Sequence, residues 1–82
     1  MPKKITNNKK LHRLKYWRES LGFSQDDMGA LLGYSGANYC QKETGKIKVD
    51  LCEAIKIQKA FNKRRAKKGL TPLTLDDIFL EQ

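Results

Sequence analysis

Apolar side chains at Leu11, Leu14, Trp17 and Leu21 follow a three-and-four spacing that predicts an amphipathic helix over residues 9–21, with Asn7 or Asn8 as its cap and Gly22 as its stop. Ser24 then stands where an N-cap belongs. Asp26 and Asp27 occupy the first turn, where the helix dipole favours them, and Met28, Leu31 and Leu32 supply a buried face before Gly33 ends this second helix. Only Tyr34 separates Gly33 from Ser35, itself a capping residue, so a third helix starts at once and must cross the second steeply. That layout, from Ser24 to Gly45, is a helix-turn-helix. Its third helix, over residues 36–44, carries Tyr39 as its one large apolar anchor and otherwise shows small or polar side chains, which suits an outward task.

Asp50 opens a fourth helix with a capping box to Glu53, and Val49, Leu51, Ala54, Ile55, Ile57, Ala60 and Phe61 give it an apolar side. The pattern runs on through NKRRAKK to Gly69. Pro72 follows, then Thr74 as a cap with Asp77 three residues on, and Leu75, Ile78, Phe79 and Leu80 make a short fifth helix. Five helices and no strand are predicted: an all-α domain over residues 9–82, preceded by a flexible basic arm over residues 1–8.

Composition narrows the partners. A chain of 82 residues, 39% hydrophobic, holds one modest core, and its formal net charge of +8 leaves a cationic surface that favours polyanions. No apolar run approaches the roughly 20 residues of a membrane span, and no signal-peptide core follows the basic start, so no membrane partner and a cytoplasmic location, in the bacterial cytoplasm or nucleoid, are expected. Cys40 and Cys52 with the single His12 match neither a disulfide scaffold nor a four-ligand zinc site, and both cysteines read as reduced thiols.

No P-loop, dinucleotide fingerprint or nucleophile elbow is present. His12 lies among Lys10, Arg13 and Lys15, a poor setting for a general base, and the adjacent aspartate pairs diverge by about 100° on a helix instead of converging on a substrate. The expectation is no enzyme, no cofactor and no metal. Helix three offers different chemistry. Asn38 and Gln41 lie three apart, and their amides can meet major-groove donors and acceptors two at a time. Gly36 and Ala37, at the end of the helix that meets base edges, allow close approach, and Ala37 suits a thymine methyl. Gln25, with the free N–H groups opening helix two, is placed to hold a phosphate, and Lys42, Lys46 and Lys48 extend a positive rim.

The segment LKYWRESLGFSQDDMGALLGYSGANYCQKETGK resembles the Cro and phage-repressor class of helix-turn-helix regulators. The likeness rests on Leu14, Arg18, Gly22, Ser24, Gln25, Leu32, Gly33, Ser35, Glu43 and Gly45, and continues more loosely through VDLCEAIKI and LTLDDIFL. It implies a compact five-helix fold of the phage-repressor type and a structural ion pair between Arg18 and Glu43. It also implies base contact from Gly36, Ala37 and Gln41, with Gln25, Thr44 and Lys46 on phosphates. Two positions depart from the class: Lys42 stands where an apolar residue is common, so its stem is expected to snorkel outward, and Gly36 replaces a long polar side chain, shifting readout toward Asn38 and Gln41. The basic run Lys63 to Lys68 reads either as an extension of helix four in solvent or as a second DNA-backbone contact, and the extension is the expectation.

The function expected is a sequence-specific transcriptional regulator of phage or mobile-element type, a repressor that occupies a double-stranded DNA operator with dyad symmetry. One short helix reads few base pairs, so a homodimer is expected at least on DNA, with Leu75, Phe79 and Leu80 as the candidate dimer surface and core packing as their other use. Asp26 and Asp27 are candidates for contact with RNA polymerase. The other classes that remain open are a protein-binding adaptor or antitoxin-like regulator and a non-specific nucleic-acid-binding protein.

Overall fold

The structure is a computed structural model that describes residues 11–80. The basic arm, and the capping role expected of Asn7 or Asn8, lie outside those residues. Five helices and no strand form the described chain: α1 (His12–Ser20), α2 (Gln25–Leu32), α3 (Gly36–Glu43), α4 (Leu51–Lys67) and α5 (Leu75–Phe79). None of them is long and apolar enough to cross a membrane. α1 starts three residues later than the apolar spacing predicts, with Leu11 at its N-cap and no side-chain cap there. Leu11 is instead buried, and its N–H donates to the Glu43 carbonyl at 2.9 Å, so the start of α1 is fastened to the end of α3.

The other four helices begin where their caps are written. Ser24, Ser35, Asp50 and Thr74 each accept from the backbone N–H three residues on, and α2, α4 and α5 close full capping boxes through Asp27, Glu53 and Asp77. Burial then joins them. Leu14, Met28, Tyr39, Ile57, Phe61, Ile78 and Phe79, drawn from all five helices, are fully buried in one core. The connection after α4 is held by polar contacts: Gln58 and Asn62 donate to the Leu73 carbonyl at 3.1 and 3.0 Å, and the Leu73 N–H returns a bond to Asn62 Oδ1 at 2.7 Å. Trp17 Nε1 donates to the Asp77 carbonyl at 3.1 Å and so seats α5 on α1.

Two expectations about apolar residues change. Leu31 and Leu51 are exposed, Leu31 because α2 buries Met28 and Leu32 on its other side and Leu51 because it opens α4. Phe79 is completely buried, so it belongs to the monomer core, and Leu75 and Leu80 are half-buried beside it. α5 thus spends Ile78 and Phe79 on the core, while Leu75 and Leu80 keep part of their surface exposed.

Candidate nucleic-acid interface

α2 and α3 are joined by three residues. Gly33 takes φ 83°, the left-handed conformation that ends α2, and the N–H groups of Gly33 and Tyr34 close the helix end on the Ala30 and Gly29 carbonyls at 3.3 and 2.7 Å. Gly29 makes the packing possible: a Cβ there would sit 2.6 Å from the Ser35 carbonyl oxygen and 2.7 Å from that of Tyr34. The backbone that starts α3 therefore lies directly on α2.

At 100° per residue, α3 divides into two faces. Gly36, Tyr39, Lys42 and Glu43 point inward and are buried, while Ala37, Gln41 and Thr44 point outward and are exposed, with Asn38 and Cys40 half-buried on the flanks. The inner face is fixed by a network about one carboxylate. Glu43 Oε2 accepts from Arg18 Nε at 2.8 Å and from the Tyr39 hydroxyl at 2.7 Å, and Oε1 accepts from Arg18 Nη2 at 3.2 Å. Arg18 Nη1 also donates to the Phe23 carbonyl at 2.9 Å, so one guanidinium joins α1, the α1–α2 turn and the last turn of α3. Glu43 holds the Arg18 charge in place and raises its pKa, and burial beside that carboxylate drives the Tyr39 hydroxyl far above the ordinary tyrosine range. The ion pair expected of Arg18 and Glu43 is present and buried; the tyrosine in it was read from sequence only as an apolar anchor.

Gly36 is buried against the start of α2, where an added Cβ would collide with the Asp26 carboxylate, so covering by α2 removes it from the outward face. Lys42 also departs from expectation. It is buried, and its Nζ donates to Glu53 Oε1 at 3.1 Å and to the Lys48 carbonyl at 3.2 Å, with the Tyr34 ring 4.9 Å away. The ammonium is consumed inside the protein, tying α3 to the start of α4, so its stem does not snorkel and it is not part of a phosphate-binding rim. Glu53 was legible only as half of the α4 capping box; the same Oε1 also accepts from the Asp50 N–H at 3.1 Å.

The start of α2 and the end of α3 meet at a cleft. Gln25, half-buried at the start of α2, lines it with Cys40 of α3, with Thr44 at the C-cap of α3, and with His12 and Lys15 of α1. Thr44 Oγ1 donates to the Gln41 carbonyl at 3.3 Å, and Lys46 and Lys48 lie exposed beyond it in the α3–α4 loop. Nothing in the sequence marks Lys15 and Cys40 as part of this cleft; an exposed lysine on α1 shows no periodic signal, and only the packing of α1 on α3 brings it beside Gln25. Cys40 and Cys52 are both free. In the basic run, Arg64 Nη1 donates to the Leu21 carbonyl at 2.9 Å and stacks 3.7 Å from the Phe23 ring centroid, while Arg65 Nε donates to the Thr71 carbonyl at 2.7 Å. The run extends α4, as expected, and two of its five cations brace neighbouring turns.

The chain matches no family model, no curated protein and no solved structure.

Proposed function

We propose that this protein is a sequence-specific double-stranded DNA-binding transcriptional regulator of the Cro and phage-repressor type that its sequence resembles, acting as a repressor by occupying an operator. The observation that carries the reading is the division of α3: its inner face is locked by Arg18, Tyr39 and Glu43, and its outer face presents Ala37 and Gln41 with Asn38 at the edge. A rigid helix with an exposed amide and a small methyl-bearing neighbour suits base edges in a major groove. Gln25 shares a cleft with Thr44 at the end of α3, Lys46 and Lys48 are exposed in the loop that follows, and all four suit phosphates, while the net charge of +8 supplies long-range attraction.

The operator has dyad symmetry and is met by a homodimer, because an eight-residue helix spans only a few base pairs and two copies must enter grooves roughly 34 Å apart. With Phe79 in the core, the pairing surface is centred elsewhere than on that side chain. A cytoplasmic setting follows from the same reading. Selection of bound duplexes from a random pool at physiological salt tests it. A recovered palindrome with half-sites about one helical turn apart is the expected outcome; an unenriched pool contradicts a sequence-reading function.

A further inference from the structure

On the side of α4 away from its core face, Lys56, Lys59, Lys63 and Lys67 recur at intervals of three, four and four residues and so form one stripe about 16 Å long. Beside the stripe lies a groove of about 510 Å³ whose apolar floor is Phe23, Leu31 and Ala60. Among the described residues, no ion pair or hydrogen bond engages the side chain of any of the four lysines, whereas the neighbouring Arg64 is committed to the Leu21 carbonyl and the Phe23 ring. No carboxylate lines the groove. Leu31 is 37% exposed on α2, a helix with only three buried residues, so this part of the floor is open to a partner.

We propose that this groove is a docking site for an acidic amphipathic helix of a partner protein, with apolar side chains on Leu31, Phe23 and Ala60 and carboxylates along the lysine stripe. Charge selects the occupant. The chain's own first ten residues hold four lysines and no acid, so they are repelled by the stripe. A nucleic-acid backbone would satisfy the lysines but leave the apolar floor without a partner, whereas a helix of about three turns matches both the length of the stripe and its mixed character. The inference is independent of the DNA-reading face, which lies on α3.

The test uses the full chain and three labelled synthetic peptides of 15 residues: an acidic helix with leucines at three-and-four spacing, a scrambled peptide of the same composition, and a leucine-free acidic peptide. Anisotropy at physiological salt gives affinities, and amide shifts map the site. The amphipathic peptide is expected to bind at least tenfold more tightly than either control and to shift Leu31, Lys59 and Ala60. The double variant Lys56→Glu with Lys63→Glu, and separately Leu31→Gln, are each expected to weaken it at least fivefold while circular dichroism stays unchanged. Equal affinity for all three peptides would reduce the groove to a polyanion attractor and overturn the proposal. It is also overturned if random duplex DNA shifts the same amides while the peptide does not, or if protein concentration alone shifts them, which would assign the groove to a second copy.

Discussion

Glu43 receives two buried donors on Oε2 and a third bond on Oε1, and Arg18 makes two of the three, keeping outside this carboxylate only the Phe23 carbonyl at 2.9 Å and a longer contact to exposed Glu19 at 3.7 Å. Removing the charge while keeping the shape therefore leaves the Arg18 guanidinium without its buried counter-charge. Glu43→Gln is expected to cost about 3 kcal/mol, lowering the melting temperature by roughly 10 °C or more; an unchanged melting temperature would remove the network from the account. Tyr39 adds a pH dependence of known sign. Its folded pKa is raised, so the folded state keeps a proton that the unfolded chain gives up near pH 10. The associated stability is present below that pH and is lost above it at about 1.36 kcal/mol per pH unit. Tyr39→Phe should melt below the native chain at pH 7, and the gap should narrow between pH 9.5 and 11; a constant gap contradicts a shared, buried hydroxyl.

At the scale of elements, helix starts were readable because caps are local: Ser24, Ser35, Asp50 and Thr74 act within three residues of themselves. The start of α1 was not, since Leu11 is set by a backbone bond to Glu43, thirty-two positions away in a different helix. The same limit explains Lys42 and Gly36. The resemblance puts Lys42 at an apolar position with an outward stem, but the approach of Glu53 and the Lys48 carbonyl makes burial of its ammonium tolerable, and only the seat of α3 on α2 turns Gly36 inward. Gly29 belongs here too, since a glycine inside a helix looks like a local weakness until the next helix is seen lying on it. Gly29→Ala forces backbone atoms of Tyr34 and Ser35 away at about 3 kcal/mol, of which helix propensity returns about 1 kcal/mol. The melting temperature should fall by roughly 10 °C. A rise, as at an open helical glycine, would show that α2 and α3 are not in such close contact.

Across the whole molecule, the five helices divide their labour. α5 completes the core through Ile78 and Phe79, α1 clamps the end of α3, and α4 takes the buried charge of Lys42 through Glu53. The outer face of α3 is left free of structural duty. Gln41 is exposed there, and the hydrogen bonds that the following loop makes to it, from the Thr44 hydroxyl at 3.3 Å and the Lys46 and Ile47 N–H groups at 2.8 and 3.2 Å, all run to its backbone carbonyl, so substituting its side chain leaves the fold's contacts intact. That separation gives the central claim its most direct test. Affinities of the native chain and of Gln41→Ala are measured side by side, at one physiological salt concentration, on a selected duplex and on a random duplex. Loss of a base-reading amide should cost about 1–3 kcal/mol on the selected duplex, a weakening of roughly fivefold to a hundredfold, with affinity for the random duplex unchanged within twofold. Equal weakening on both duplexes, or none on either, would contradict the claim that α3 reads bases.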